Sequence, residues 1–265
     1  MSKRATGFIP DPQGHRWTKF KAAAAAKKMG DLPDSASVAH NAAPVSNQIT
    51  VGQCVTHGVL DAGFAALVGA GHQLPTTFSH RVGYALARAI DRADWTPEGV
   101  SLPPLCDEGS QPNQMTRALA LYGCPLAQDL DEGTLDAIPG LENRELMLHE
   151  MVKCKFFPLD WTHVGDNDSD KIEQCMAALA SGVPFALAIE AGSQFDACDG
   201  SIVLESDGRN HNHMIHAVSY QVIQGRPRFL VQNSWGEDWG TFGRAWVSRG
   251  FVEAASTILI PRVTQ

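Results

Sequence analysis

The chain of 265 residues is 44% hydrophobic and 19% charged, the balance of a protein with a buried core, and it suits one catalytic domain of two packed lobes better than two independent domains. No apolar stretch approaches the roughly 18 residues of a spanning helix and no apolar run follows the basic start Ser2-Lys3-Arg4, so the reading is no membrane partner and a cytoplasmic or leaderless-export location. The net charge of −8 hides an asymmetry: residues 1–30 hold seven basic side chains against Asp11, leaving 14 basic against 28 acidic, or −14, on the rest; with no aromatic-interleaved basic platform, that arm is expected to dock on its own acidic body and not on nucleic acid.

Residues 1–30 read as an N-terminal basic extension. A loop is marked by Pro10-Asp11-Pro12, and a helix runs from Arg16 to Met29 through the Ala22–Ala26 run, with Trp17 and Phe20 on one face. One domain is expected over 31–265, helical to about 150 and β-rich from about 151. Apolar spacing near 3.6 predicts helices over Cys54–Val68, Ser79–Ile90 and Asn113–Tyr122. Beyond them one helix, Asp168–Ala180, precedes short β-branched or aromatic runs over Val183–Glu190, His213–Ile223, Arg228–Gln232 and Arg244–Val247. The chain shows no internal repeat.

Three distant segments supply the parts of a thiol hydrolase: Gln48 six residues before Cys54, the histidines of 211–216, and Asn233-Ser234-Trp235-Gly236. A thiol attacking a carbonyl needs a base, a group to orient it, and donors for the oxyanion that forms. Cys54 opens a predicted helix, whose N-terminal dipole favours a thiolate. In a strand His213 and His216 face opposite sides, so one of them can enter a groove. His57, one turn after Cys54, is too close along the same helix to leave a carbonyl between them. His211 and His213 share a strand face as metal ligands would, yet no second cluster with metal spacing follows. The other five cysteines read as reduced packing residues.

The run Pro44-Val45-Ser46-Asn47-Gln48-Ile49-Thr50-Val51-Gly52-Gln53-Cys54 is similar to the Pro-Val-x-Asn-Gln-Gly-x-Cys-Gly-x-Cys of the papain-like cysteine peptidases. Asn233-Ser234-Trp235-Gly236-Glu237-Asp238-Trp239-Gly240-Thr241-Phe242-Gly243 resembles their Asn-Ser-Trp-Gly-x-x-Trp-Gly-x-x-Gly. Leu32-Pro33-Asp34-Ser35 resembles the start of their mature domains, and Asp107-Glu108-Gly109-Ser110 their substrate-pairing loop, with Asp107 and Glu108 equally readable as solvated charges. Two departures stand out. Val55-Thr56-His57 replaces Trp-Ala-Phe, and Val51 stands where secreted members carry a bridging cysteine.

The resemblance implies an α+β papain-like two-lobe fold, a helical N-terminal lobe and a β-rich C-terminal lobe with the active site in the groove between them. It implies a Cys54 acyl-enzyme, Asn233 orienting the base, Gln48 and the Cys54 backbone N–H holding the oxyanion, and Trp235 shielding the pair. The register to Ser219-Tyr220 favours His213 as base, while His216-Ala217-Val218 copies the family locally and keeps His216 as the alternative. Gly109, Ser110 and Trp235 are the expected substrate contacts, with a peptide or protein as substrate and no cofactor or metal. Endopeptidase and exopeptidase action both fit, and the alternatives are another thiol-dependent amide hydrolase or transamidase, or a weakly catalytic peptide-binding module. Residues 1–30, too short for the family's long inhibitory pro-segment, are expected to clamp the lobes, with a short removable inhibitor as the alternative.

Overall fold

The computed structural model describes residues 6–10, 31–91, 107–127, 154–165 and 168–264. The expected helix over 16–29 and Cys106 lie outside these residues.

The first lobe is built on α1 (Cys54–Gly69), which is buried on every side from Cys54 to Leu67, including Thr56, His57 and Asp61. A helix apolar nearly all round belongs at the centre of a domain, and α2 (His80–Asp91) and α3 (Pro112–Tyr122) pack on it. Pro at the first turn of α3 and a Gln111–Gln114 capping box explain its sharp start.

The second lobe is an antiparallel sheet of β1 (Ser35–Ser37), β2 (Leu159–Val164), β3 (Phe185–Ile189), β4 (His213–Ile223), β5 (Arg226–Gln232), β6 (Arg244–Ser248) and β7 (Ile258–Val263). Its order is β2-β7-β3-β4-β5-β6, with β1 also paired to β4. Strand alternation divides its side chains between two cores. Ala186, Ala188, Met214 and Leu259 join the core around α1, whereas Leu187, Ile189 and Ile215 join a core with α4 (Lys171–Ala180), α5 (Ser193–Asp196) and α6 (Arg249–Ala254). The sheet is therefore the wall between the lobes. Fully buried Phe185, Phe229 and Trp239 anchor its second face, each contributing about 1.5–3 kcal/mol of apolar burial.

The α+β two-lobe architecture is the one expected. Helix α4 starts at Lys171, not Asp168, because the Asp168 carboxylate accepts the Gly165 N–H at 2.9 Å and shapes a turn there. Strands β1, β2 and β7 were not foreseen. β7 contains Pro261, which reads against a central strand; it is tolerated because β3 pairs β7 only at Ile258 and Leu259, leaving Pro261 opposite Trp161 of β2 alone.

Candidate active site

Cys54 is the first residue of α1 and is fully buried. Burial pushes its thiol up to about 12, against the backbone N–H groups of Met214, Val55, Gly7 and Cys54 itself, which approach the sulfur and pull the other way. Met214 belongs to β4, so the sulfur lies where the helix N-terminus meets the start of that strand.

His213 opens β4, also fully buried. Its Nε2 lies 2.7 Å from Asn233 Oδ1, which also accepts the Ser234 N–H at 2.8 Å. A carboxamide oxygen only accepts, so Nε2 carries the proton and Nδ1 keeps a lone pair. That Nδ1 has no hydrogen-bond partner among the described residues. Trp235 stacks on the imidazole with centroids 4.6 Å apart and Phe195 meets it edge-on. Burial lowers the His213 pKa to about 4, opposed by the Asn233 bond. The ring is thus neutral, oriented and shielded from water.

The other histidines are placed elsewhere. His216 is equally buried and lowered to about 4, by burial first, but its charged neighbours are Asp61, Arg244 and His80. His57 Nδ1 bonds Ser46 Oγ at 2.8 Å and its ring stacks on His80. His211 Nε2 donates to the Ala254 carbonyl at 2.8 Å, whereas His213 Nε2 donates to Asn233, so the two rings serve different partners.

Gln48 is held from three directions. Its backbone N–H donates to Ser234 O at 2.8 Å, its Oε1 accepts Ser234 Oγ at 2.6 Å, and its Nε2 donates one hydrogen to Val51 O at 2.9 Å. Ser234 is the residue that sequence reasoning missed: it sits inside the Asn233-Trp235 run, but its partner is 186 positions away. The turn after Gln48 puts Ile49 at φ 52° with its side chain 68% exposed.

The loop carrying Gly109 and Ser110 forms the facing rim. Asp107 and Glu108 are not idle charges. The Asp107 carboxylate accepts the Gly52 N–H at 2.9 Å and the Tyr84 hydroxyl at 2.7 Å, Tyr84 in turn accepts the Gly109 N–H, and Glu108 pairs with buried Arg88. Residues 6–10 lie across this rim. Ser110 N–H donates to Gly7 O at 2.8 Å and Ile9 N–H to Ser110 O at 3.0 Å, while the Gly7 and Phe8 N–H groups both reach Asn212 O at 3.2 Å. Phe8 is buried beside Ser110 in the α1 core. Gly7 packs so tightly that a Cβ there would stand 2.0 Å from Gly52 O, and one on Gly109 2.2 Å from Gly7 O.

Among the described residues no helix is long and apolar enough to cross a membrane. Residues 149–259 match the family model described as papain family cysteine protease. Fruit bromelain of Ananas comosus is 32% identical over 91 residues, 34% of this chain and 25% of that protein. A KDEL-tailed cysteine endopeptidase of Arabidopsis thaliana is 32% identical over 87 residues, 32% of this chain and 23% of that protein. The matches thus span about a quarter of these relatives' length. A KDEL tail addresses a protein to the endoplasmic reticulum, so that relative lends no support to the cytoplasmic expectation. The crystal structure of xylellain, a cysteine protease from Xylella fastidiosa, superposes with a TM-score of 0.68 at 17% identity over 98% of each chain.

Proposed function

We propose that this chain, papain-like in fold and in the sequence of its second lobe, is a cysteine peptidase that cleaves peptide bonds through an acyl-enzyme on Cys54, and that its own residues 6–10 hold the groove closed until they are displaced. The observation that carries the reading is the buried His213–Asn233 pair under Trp235, with Nδ1 unpartnered among the described residues, at the strand end that meets Cys54. Nδ1 takes the thiol proton, and the sulfur attacks the substrate carbonyl carbon. The displaced electron pair rests on the carbonyl oxygen, held by the Cys54 N–H and the Gln48 amide that Ser234 orients. Collapse expels the amine, which takes the proton from His213; water then hydrolyses the thioester with His213 as base. Ser110 and Asn212, whose main-chain groups pair with residues 7–9, are the groups an extended substrate would use.

In the closed form the segment joins both lobes, as the expected clamp would, but it does so across the groove. Its Gly7 N–H lies near the sulfur but donates to Asn212 O at 3.2 Å, so the segment fills the site through main-chain bonds to the groove's walls. The Gly7→Val substitution is the test, because no side chain fits against Gly52. Labelling of Cys54 by a peptidyl thiol probe should rise at least about tenfold over wild type, with peptide hydrolysis appearing in parallel. Labelling no faster than wild type would remove the closing role. No labelling in the opened protein would make the chain a binding module, and labelling without peptide hydrolysis would favour another amide hydrolase or a transamidase.

A further inference from the structure

One buried polar cluster takes no part in the chemistry above. His57 and Asp61 project from α1 and His80 stands at the start of α2; one ligand atom from each lies within 4.8 Å of the other two. His80 Nε2 approaches Asp61 Oδ1 at 2.7 Å, and the His57 and His80 rings stack 3.8 Å apart. Ser46 Oγ fixes the His57 ring through Nδ1, yet His57 Nε2, on a side chain 3% exposed, has no hydrogen-bond partner among the described residues. A buried imidazole nitrogen without a partner is costly unless something else binds it. His216 Nε2, also buried and without a partner among the described residues, belongs to the same neighbourhood, being electrostatically coupled to Asp61 and His80.

We propose that His57, Asp61 and His80 form a structural site for a divalent transition-metal ion of the Zn²⁺ type, with His216 or a water as fourth ligand. Two imidazoles and a carboxylate are a donor set that suits such an ion. Ligand atoms on a tetrahedral ion at about 2.0–2.2 Å stand about 3.3 Å apart, so closure asks each side chain to move by about 1 Å. His80, whose side chain is 14% exposed, provides the way in. Arg244, near His216, is the charge that opposes entry. The ion would tie α1 to α2 one turn below Cys54, without touching the sulfur. This departs from the expectation of no metal.

The test uses the full-length protein stripped with a chelator and titrated with Co²⁺, for its visible d–d absorption, and with Zn²⁺ by calorimetry. One equivalent should bind and raise Tm, since the folded state alone presents the site. His80→Ala and Asp61→Asn should each weaken binding at least about tenfold, while Cys54→Ser should bind as wild type does. His80→Ala, at a partly exposed position, decides if Asp61→Asn does not fold. No Co²⁺ spectrum in wild type overturns the proposal. So does binding that survives His80→Ala but is lost in Cys54→Ser, which would put the ion on the active-site thiol. Peptide hydrolysis by the Gly7→Val protein in chelator is scored separately, so the two proposals fail independently.

Discussion

Ile49 shows how a site residue can be strained by its neighbours' duties. Its amide donates to Asn47 Oδ1, and the next turn is closed by Val51 N–H on Gln48 O and by Gln48 Nε2 on Val51 O. The backbone is left at φ 52°, a region β-branched residues rarely occupy. That conformation costs about 1–2 kcal/mol, whereas glycine adds about 0.5–1 kcal/mol of unfolded-state entropy. Ile49→Gly, despite deleting a whole side chain, should therefore stabilise the protein by up to about 1 kcal/mol; a fall in the urea midpoint would refute it. The position was legible in part, since the family run has glycine there. That His213 meets Asn233 and that Gln48 meets the Asn233-Trp235 run was legible, because spacing along the chain is the signal; the roles of Cys54, His213, Asn233 and Gln48 belong to the proposal. Ser234 was not legible, because an oxygen that orients a side chain from the other lobe leaves no trace in local sequence.

Among the elements, α1 and β4 matter most, since they bring Cys54 and His213 to one place. Their approach is set by Gly58, where a Cβ would stand 3.0 Å from Met214 Cγ and 3.3 Å from the Ile215 carbonyl. Alanine normally gains about 1 kcal/mol over glycine inside a helix. Here Gly58→Ala should do the opposite, lowering both Tm and the kcat of the opened enzyme, because a backbone oxygen cannot step aside. At Gly63 the nearest atom is the end of the Leu159 side chain at 3.1 Å, so Gly63→Ala should be nearly neutral; equal effects at the two positions would show that the helix–strand distance does not matter. The periodic helices were readable within a few residues, as was β4. Strands β1, β2 and β7 were hidden because they are short, chemically mixed and stabilised by partners far along the chain, which no window of local pattern contains.

At the scale of the whole molecule, the proposed closing role of residues 6–10 would couple the groove to pH. With residues 6–10 in place burial lowers the His213 pKa to about 4; lifting them would wet the ring only in part, since Trp235 and Phe195 still lie against it, and would move it upward toward the ordinary value of about 6.5. The open form therefore binds the proton more tightly. Below pH 6.5 acid favours opening by up to about tenfold per unit, the effect levels off near pH 4, and above pH 6.5 it vanishes. Protection of the Gly7 and Ile9 amides against hydrogen exchange, corrected for intrinsic rates, should fall as pH drops through that window and hold between about pH 6.5 and 8, below the range in which an uncovered Cys54 would ionise; flat protection from pH 7 to 4.5 would argue against the coupling. The proposed use of residues 6–10 could not be read from the sequence, whose expectation of docking by a Trp17–Phe20 face and charge attraction falls on residues outside the described ones. The bonds that hold residues 7–9 are main-chain bonds, to which composition is blind.

The main-chain bonds that hold Gly7 and Phe8 to Asn212 and Ser110 carry a kinetic consequence on the proposed reading. On that reading, a molecule whose groove is filled by its own residues 6–10 holds no substrate carbonyl at Cys54, so a cut that removes them would be made by a second, already opened copy. Activation then behaves as a chain reaction: a lag, an acceleration seeded by the few open molecules, and a half-time that shortens as protein concentration rises. Mixing a trace of Gly7→Val protein into wild type should abolish the lag, and adding the same trace carrying Cys54→Ser as well should leave it untouched. A half-time independent of concentration would mean that the segment leaves by simple dissociation.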